Sequence, residues 1–282
     1  MDKTLSFLAK LLLLSAGGLA VVAGPVLFFF PTQTASYFAW AIKNPLTPVF
    51  MGANYFGGVG AIWAMKTNKW SVARVLIPGI FVFAITQLFA TSLHIPVFNW
   101  SHPVAWTWLL VYIGSPLLVA AVSVQMERHY LAPPFPKGFL PGAFPALALT
   151  IAGVGLVVGV SLWVWPAISS PDPVTGAVPW WPWSLTPLTA RVIGGWYLAS
   201  ATLFAFLSLP HPPLSVRVAV FGVIFATGLE LLGALLHRDS FGGPGLSVFL
   251  YLLNAALVFA FALATFLRWT RGLAIQSPNS GA

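Results

Sequence analysis

Eight times the chain stays apolar for about 20 residues, the length a helix needs to cross the hydrocarbon core of a bilayer. The runs lie near 6–30, 46–65, 72–92, 103–125, 142–164, 188–208, 215–236 and 245–267. Turn-forming stretches separate them: Pro45, Pro96, PPFPKG at 133–138, PDPVTG at 171–176, PHPP at 210–213 and GGPG at 242–245. Lipid offers open backbone no hydrogen-bond partner, so the spanning element is a helix. A transmembrane barrel would alternate with period two, and no such alternation occurs. Composition agrees, because only 6% of residues are charged, against about a quarter in a soluble domain. The first run follows Lys3 and Lys10 as a secretory signal would. It continues through Phe28, Phe29 and Phe30, past the length of a signal core, and is read as the first helix.

Cysteine is absent, which removes disulfides, thiolate metal sites and cysteine nucleophiles. The net charge is +8, yet no Lys/Arg-rich cluster exists, so the excess is a topology signal and no nucleic-acid partner is expected. Ten basic residues lie on the side of the two termini: Lys3, Lys10, Lys66, Lys69, Arg74, Arg128, Lys137, Arg217, Arg268 and Arg271. Only Lys43, Arg191 and Arg238 lie on the other. The positive-inside rule then predicts a cytoplasmic (inner) membrane protein with both termini in the cytoplasm. Tryptophan is distributed the opposite way, with Trp40, Trp100, Trp106, Trp108, Trp163, Trp165, Trp180, Trp181, Trp183 and Trp196 near the outer face. Most are read as an interfacial belt, and WWPW at 180–183 as a lid over the outer surface.

The halves resemble each other. NPLTPVFMGANY at 44–55 lines up with TPLTARVIGGWY at 186–197, keeping Pro45/Pro187, Leu46/Leu188, Thr47/Thr189, Gly52/Gly194 and Tyr55/Tyr197. After one residue of slippage, RVLIPG at 74–79 matches RVAVFG at 217–222. QLFATSLHIPVF at 87–98 then matches ELLGALLHRDSF at 230–241, keeping His94/His237 and Phe98/Phe241. Each half has four spans, so both copies enter the bilayer from the same side. The expected fold is an all-α integral membrane protein of eight transmembrane helices, built as two parallel four-helix repeats about a pseudo-two-fold along the membrane normal. The repeats cover 1–130 and 142–272, with a cytoplasmic linker at 131–141 and a short tail at 273–282. Proline in a first turn marks helix starts at Pro45 and Pro187, and the paired glycines mark close helix contacts.

The run FPTQTASYFAW…NPLTPVFMGANY, followed by the Trp-rich AWTWLLVY span, resembles an uncharacterised family of bacterial polytopic membrane proteins. The resemblance covers most of the chain and implies its topology; it carries no activity.

Glu230, in ATGLELLGALLHRD at 226–239, is the only acid inside a long apolar run. Helical spacing sets Glu230, Ala234 and His237 on one face, and the repeat equivalents Gln87, Thr91 and His94 on another. Intramembrane acids face a cavity or a partner; the expected partners are Arg191 or Gln87. His94 and His237 also form a candidate haem, chlorin or metal pair, imidazole being the commonest protein ligand. No cofactor is required by the sequence. No GxSxG, HExxH, P-loop or dinucleotide fingerprint occurs, which points away from an enzyme. The expectation is a protein that binds or translocates a small amphipathic or aromatic molecule or lipid at an outward-facing Trp-rich cleft lined by Glu230, His237, Arg191, Gln87, His94 and Thr91. The alternative is an accessory subunit packed among other membrane subunits, next to pigment, quinone or haem.

Overall fold

Ser6 begins the first helix: its hydroxyl accepts the amide of Ala9 at 3.2 Å, and α1 follows over Phe7–Phe29. The computed structural model describes residues 2–128, 130, 142–168 and 178–275, with side chains to 268. The linker at 131–141 with Lys137, the PDPVTG turn at 171–176, the end of the tail and the Arg271 side chain lie outside the described residues. After α1 come a short α2 (Thr34–Tyr37), α3 (Leu46–Phe56), α4 (Val59–Thr67), a short α5 (Trp70–Ala73), α6 (Ile77–Leu93) and α7 (Pro103–Glu127). The remainder is α8 (Ala143–Ile168), α9 (Pro187–Leu207), α10 (Pro213–Leu236) and α11 (Gly245–Ile275). Proline occupies the first turn of α6, α7, α9 and α10, where its missing N–H would be unbonded anyway. No strand occurs among the described residues.

Six helices are long and apolar enough to cross a membrane: α1, α7, α8, α9, α10 and the Gly245–Arg268 part of α11. α6 is apolar but only 17 residues long. The second apolar run, expected as one continuous helix, breaks at Gly57–Gly58 into α3 and α4. Close approach from two sides accounts for the break. A Cβ on Gly57 would lie 3.3 Å from the Gly222 carbonyl of α10, and one on Gly58 would lie 2.6 Å from the Ala16 carbonyl of α1. Only glycine lets both backbones come this near.

α3 packs against α1 and α10, while α9 packs against α8 and α6; α7 covers α6 and α11 covers α10. The centre belongs to α9 and α10, which bury 56% of their spans against 22% for α11. Small residues carry the crossings, since lipid gives helices no hydrophobic push toward each other. A Cβ at Gly52 would stand 2.8 Å from the Gly24 carbonyl of α1, and one at Gly194 would stand 3.0 Å from the Gly159 carbonyl of α8.

The two ends of the bundle differ in chemistry. At the N-terminal face the Asp2 carboxylate accepts from the amide and hydroxyl of Ser71. The Lys3 ammonium donates to the carbonyls of Gln125, Met126 and Arg128 at 2.9–3.3 Å, capping the end of α7 where the helix dipole favours a cation. Arg74 grips Glu127 with two hydrogen bonds, 2.9 and 3.2 Å, and the Trp70 indole donates to the same carboxylate. The opposite, tryptophan-rich face is filled by two aromatic clusters. Trp40, Phe38, Phe98 and Trp108 form one, with the Trp40 and Trp108 rings 5.0 Å apart and edge-on. Trp181, Trp183, Phe241 and Tyr251 form the other, with Trp183 and Tyr251 5.1 Å apart and edge-on. This corrects the belt-and-lid reading at its centre. Trp40, Trp108, Trp181 and Trp183 are core residues, and WWPW is packed in rather than laid over the surface. Edge-to-face packing supplies the reason, and two indoles also find buried acceptors: Trp183 donates to Thr47 and Trp108 to Thr91, each at 2.9 Å. Trp106, half exposed, keeps the character of an interfacial anchor.

Candidate functional site

Between the central helices lies a cavity of about 260 Å³. Its wall runs from Phe50, Tyr112 and Glu230 at mid-bundle toward Leu12, Leu76 and Ala219, that is, toward the N-terminal face. Trp196 is its only tryptophan. The space therefore sits beneath the aromatic clusters, whereas the sequence suggested a cleft among them.

Glu230 is the acid of this cavity and is 8% exposed. One carboxylate oxygen accepts from the Asn54 side-chain amide at 2.6 Å, and the same amide donates its second hydrogen to the Phe50 carbonyl at 2.9 Å. Asn54 is thus fixed by its own helix turn before it meets the acid. The second oxygen of Glu230 makes no hydrogen bond among the described residues. The Tyr197 and Ser200 hydroxyls of α9 and the Asn254 amide of α11 line the same cavity and also make none. The facing wall is closed by the Tyr55 and Tyr112 hydroxyls, bonded to each other at 2.8 Å. No Lys, Arg or His lines the cavity among the described residues.

The expected partners of Glu230 are engaged elsewhere. Arg191, 9% exposed in the first turn of α9, places Nη1 2.6 Å from Nε2 of His94 and donates to it. His94 caps the end of α6, and burial, reinforced by the Arg191 charge, pushes its pKa down to about 4. The imidazole is accordingly neutral near pH 7, with its Nε2 lone pair turned to the guanidinium. Gln87 is fully buried and donates to the Val192 carbonyl at 3.1 Å; its Oε1 is unbonded. Thr91 links Gln87 to Trp108, donating to the Gln87 carbonyl and accepting the indole. So Glu230 is tied to Asn54, not to Arg191 or Gln87, and Gln87, Thr91, His94, Arg191 and His237 are not part of the cavity wall.

The histidine pair is likewise separated in role. His94 spends Nε2 on Arg191, a cation that would oppose a metal ion at that nitrogen, whereas the side chain of His237 makes no hydrogen bond among the described residues. Of the helix-start motif, Leu46, Thr47, Leu188 and Thr189 are buried; Pro45 caps α3 and Pro187 opens α9. Thr186 and Thr189 form a reciprocal capping box at that opening. Tyr55 and Tyr197 both line the cavity, a role their helical position alone did not disclose. Asn54, Asn254 and Ser200 were missed. The available signal was that Asn54 and Asn254 are the only asparagines inside the apolar runs. The chain matches no protein-family model, no curated protein and no solved structure.

Proposed function

We propose that the protein is an eight-span membrane protein made of two four-helix repeats, and that its central cavity binds a small amphipathic molecule. Counting the α3–α4 pair and α6 as spans brings the six long helices to eight. Several correspondences support the repeat. α1 on α3 parallels α8 on α9, α7 on α6 parallels α11 on α10, and α10 on α3 parallels α6 on α9. Phe38, Trp40, Phe98 and Trp108 stand at one constant offset from Trp181, Trp183, Phe241 and Tyr251, and ring contacts recur between matching members. At that same offset, Asn99 donates to the Ala39 carbonyl at 2.8 Å and Gly242 to the Pro182 carbonyl at 3.2 Å. The basic residues of the N-terminal face support a reading in which that face, and both termini, lie in the cytoplasm and the protein in the inner membrane. The cavity then lies at mid-bilayer and extends inward.

The observation that carries the binding reading is the free oxygen of Glu230 in a mostly apolar chamber. Pockets for small molecules combine an apolar wall with a few convergent polar groups, and intramembrane ionisable residues mark such places. The test uses protein in lipid nanodiscs, titrated calorimetrically with phenethylamine, phenethyl alcohol and hydrocinnamate. At least one should bind saturably, and Ser200→Phe, which fills the cavity, should abolish that binding. Non-saturable partitioning of all three, equal in the wild type and the variant, would overturn the reading.

A further inference from the structure

The polar groups that line the cavity point to the chemistry of its ligand. On the proposed correspondence, Ser200 matches Gly58, Thr227 matches Ala84 and Asn254 matches Val111, and all six line the cavity. In these three pairs the polar member belongs to the second half, while in Asn54/Trp196, Tyr112/Ala255 and Ser115/Val258, which also line the cavity, it belongs to the first. Glu230 completes the polar lining, while its counterpart Gln87 is withdrawn from the cavity and bonded to backbone.

The polar lining is rich in acceptors and poor in positive charge. Asn54 uses both amide hydrogens on Phe50 and on one Glu230 oxygen, leaving the other oxygen bare. The Asn254 side-chain amide and the Tyr197 and Ser200 hydroxyls line the same cavity and make no hydrogen bond among the described residues. Aromatic faces frame the same space: Phe83 lies 3.9 Å from Trp196, and Phe50 stacks on Tyr197 at 5.9 Å. A carboxylate in a low-dielectric site is costly unless a cation answers it, and among the described residues no cation lines this one. An anion would meet Glu230 with like charge. A bare metal ion would leave the Phe, Trp and Leu walls uncovered.

We propose that the cavity receives an organic ammonium ion with an apolar or aromatic tail, its head held by Glu230, Asn254 and Tyr197. The ammonium donates to the free Glu230 oxygen, the Asn254 carbonyl and the Tyr197 hydroxyl, and the aromatic faces add cation–π attraction. The tail lies along the apolar wall of Gly58, Ala84 and Val111. This inference rests on the cavity being a binding site, and the same three probes separate the two ideas. Phenethylamine should bind at least tenfold more tightly than phenethyl alcohol, with hydrocinnamate weakest. Glu230→Gln, which keeps size and the Asn54 bond, should reduce the amine–alcohol difference to less than threefold. Asn254→Val should weaken the amine several-fold and leave the alcohol nearly unchanged. If the alcohol binds as tightly as the amine, or the preference survives in both variants, the ammonium assignment is wrong while the cavity remains a binding site. Absence of any saturable binding defeats the cavity reading itself. Should Glu230→Gln fail to fold, Asn254→Val and Tyr197→Phe decide: an undiminished amine preference in both overturns the assignment.

Discussion

On the proposed repeat, Gln87 and Glu230 stand at matching positions of the two halves and solve the same problem differently. Gln87 carries its own donor, which it gives to the Val192 carbonyl. Glu230 has none to give when ionised, and the corresponding carbonyl, Phe50, is served by Asn54 instead, which then bonds the acid as well. Each leaves one oxygen without a hydrogen bond among the described residues, but Gln87 stands away from the cavity whereas Glu230 lines it.

Exchanging the two side chains gives the largest expected contrast. Gln87→Glu removes a donor and places a carboxylate where nothing is exposed, so it should destabilise the protein by about 3 kcal/mol or more. Glu230→Gln still accepts from Asn54 and should stay within about 1 kcal/mol of the wild type. Unfolding in mixed detergent micelles measures both, and equal losses would erase the distinction between the halves. Glycine crossings come next. Gly222→Leu drives a side chain into the Gly57 carbonyl and should cost about 1–3 kcal/mol or distort the bundle, whereas Gly114→Leu meets open space and should cost little. A smaller effect separates the aromatic clusters. The Trp183 indole is bonded to Thr47 and the Trp40 indole is unbonded, so Trp183→Phe should cost about 1 kcal/mol more than Trp40→Phe in the same assay. The smallest concerns pH. Folded His94 titrates at about 4 against 6.5 for a free imidazole, so between those values the unfolded chain binds a proton that the folded one does not. Stability should fall as pH drops through that window, and His94→Gln should flatten the decline. His211, also shifted down by burial and held to the Phe206 carbonyl, acts in the same direction and remains in that variant as background.

Apolar run length was enough to read an all-helical membrane protein, and the Pro45 and Pro187 positions located helix starts well. Period and length say nothing of what a helix meets, and this is where the reading changed. Gly57 and Gly58 looked like generic packing glycines, yet two backbones converge there and interrupt the helix. Tryptophans near a boundary suggested a belt; their mutual edge-on packing and the Thr47 and Thr91 acceptors put four of them in the core. Glu230 was singled out from the cost of a buried acid alone. Its partner was not, because Arg191 and Asn54 compete through helix rotation, which packing sets. A tally of amides in apolar runs would have exposed Asn54 and Asn254.

The Lys3 cap on α7 bears on the order of assembly. Its three carbonyl acceptors belong to residues 125, 126 and 128, and the neighbouring Asp2 is held by Ser71. Lys3 must therefore wait for the end of α7, and Asp2 for Ser71, before their bonds can form. Until then α1 and α7 lack this clasp. Its closure is a signal, written in one ammonium group, that the first half of the chain has been delivered and inserted.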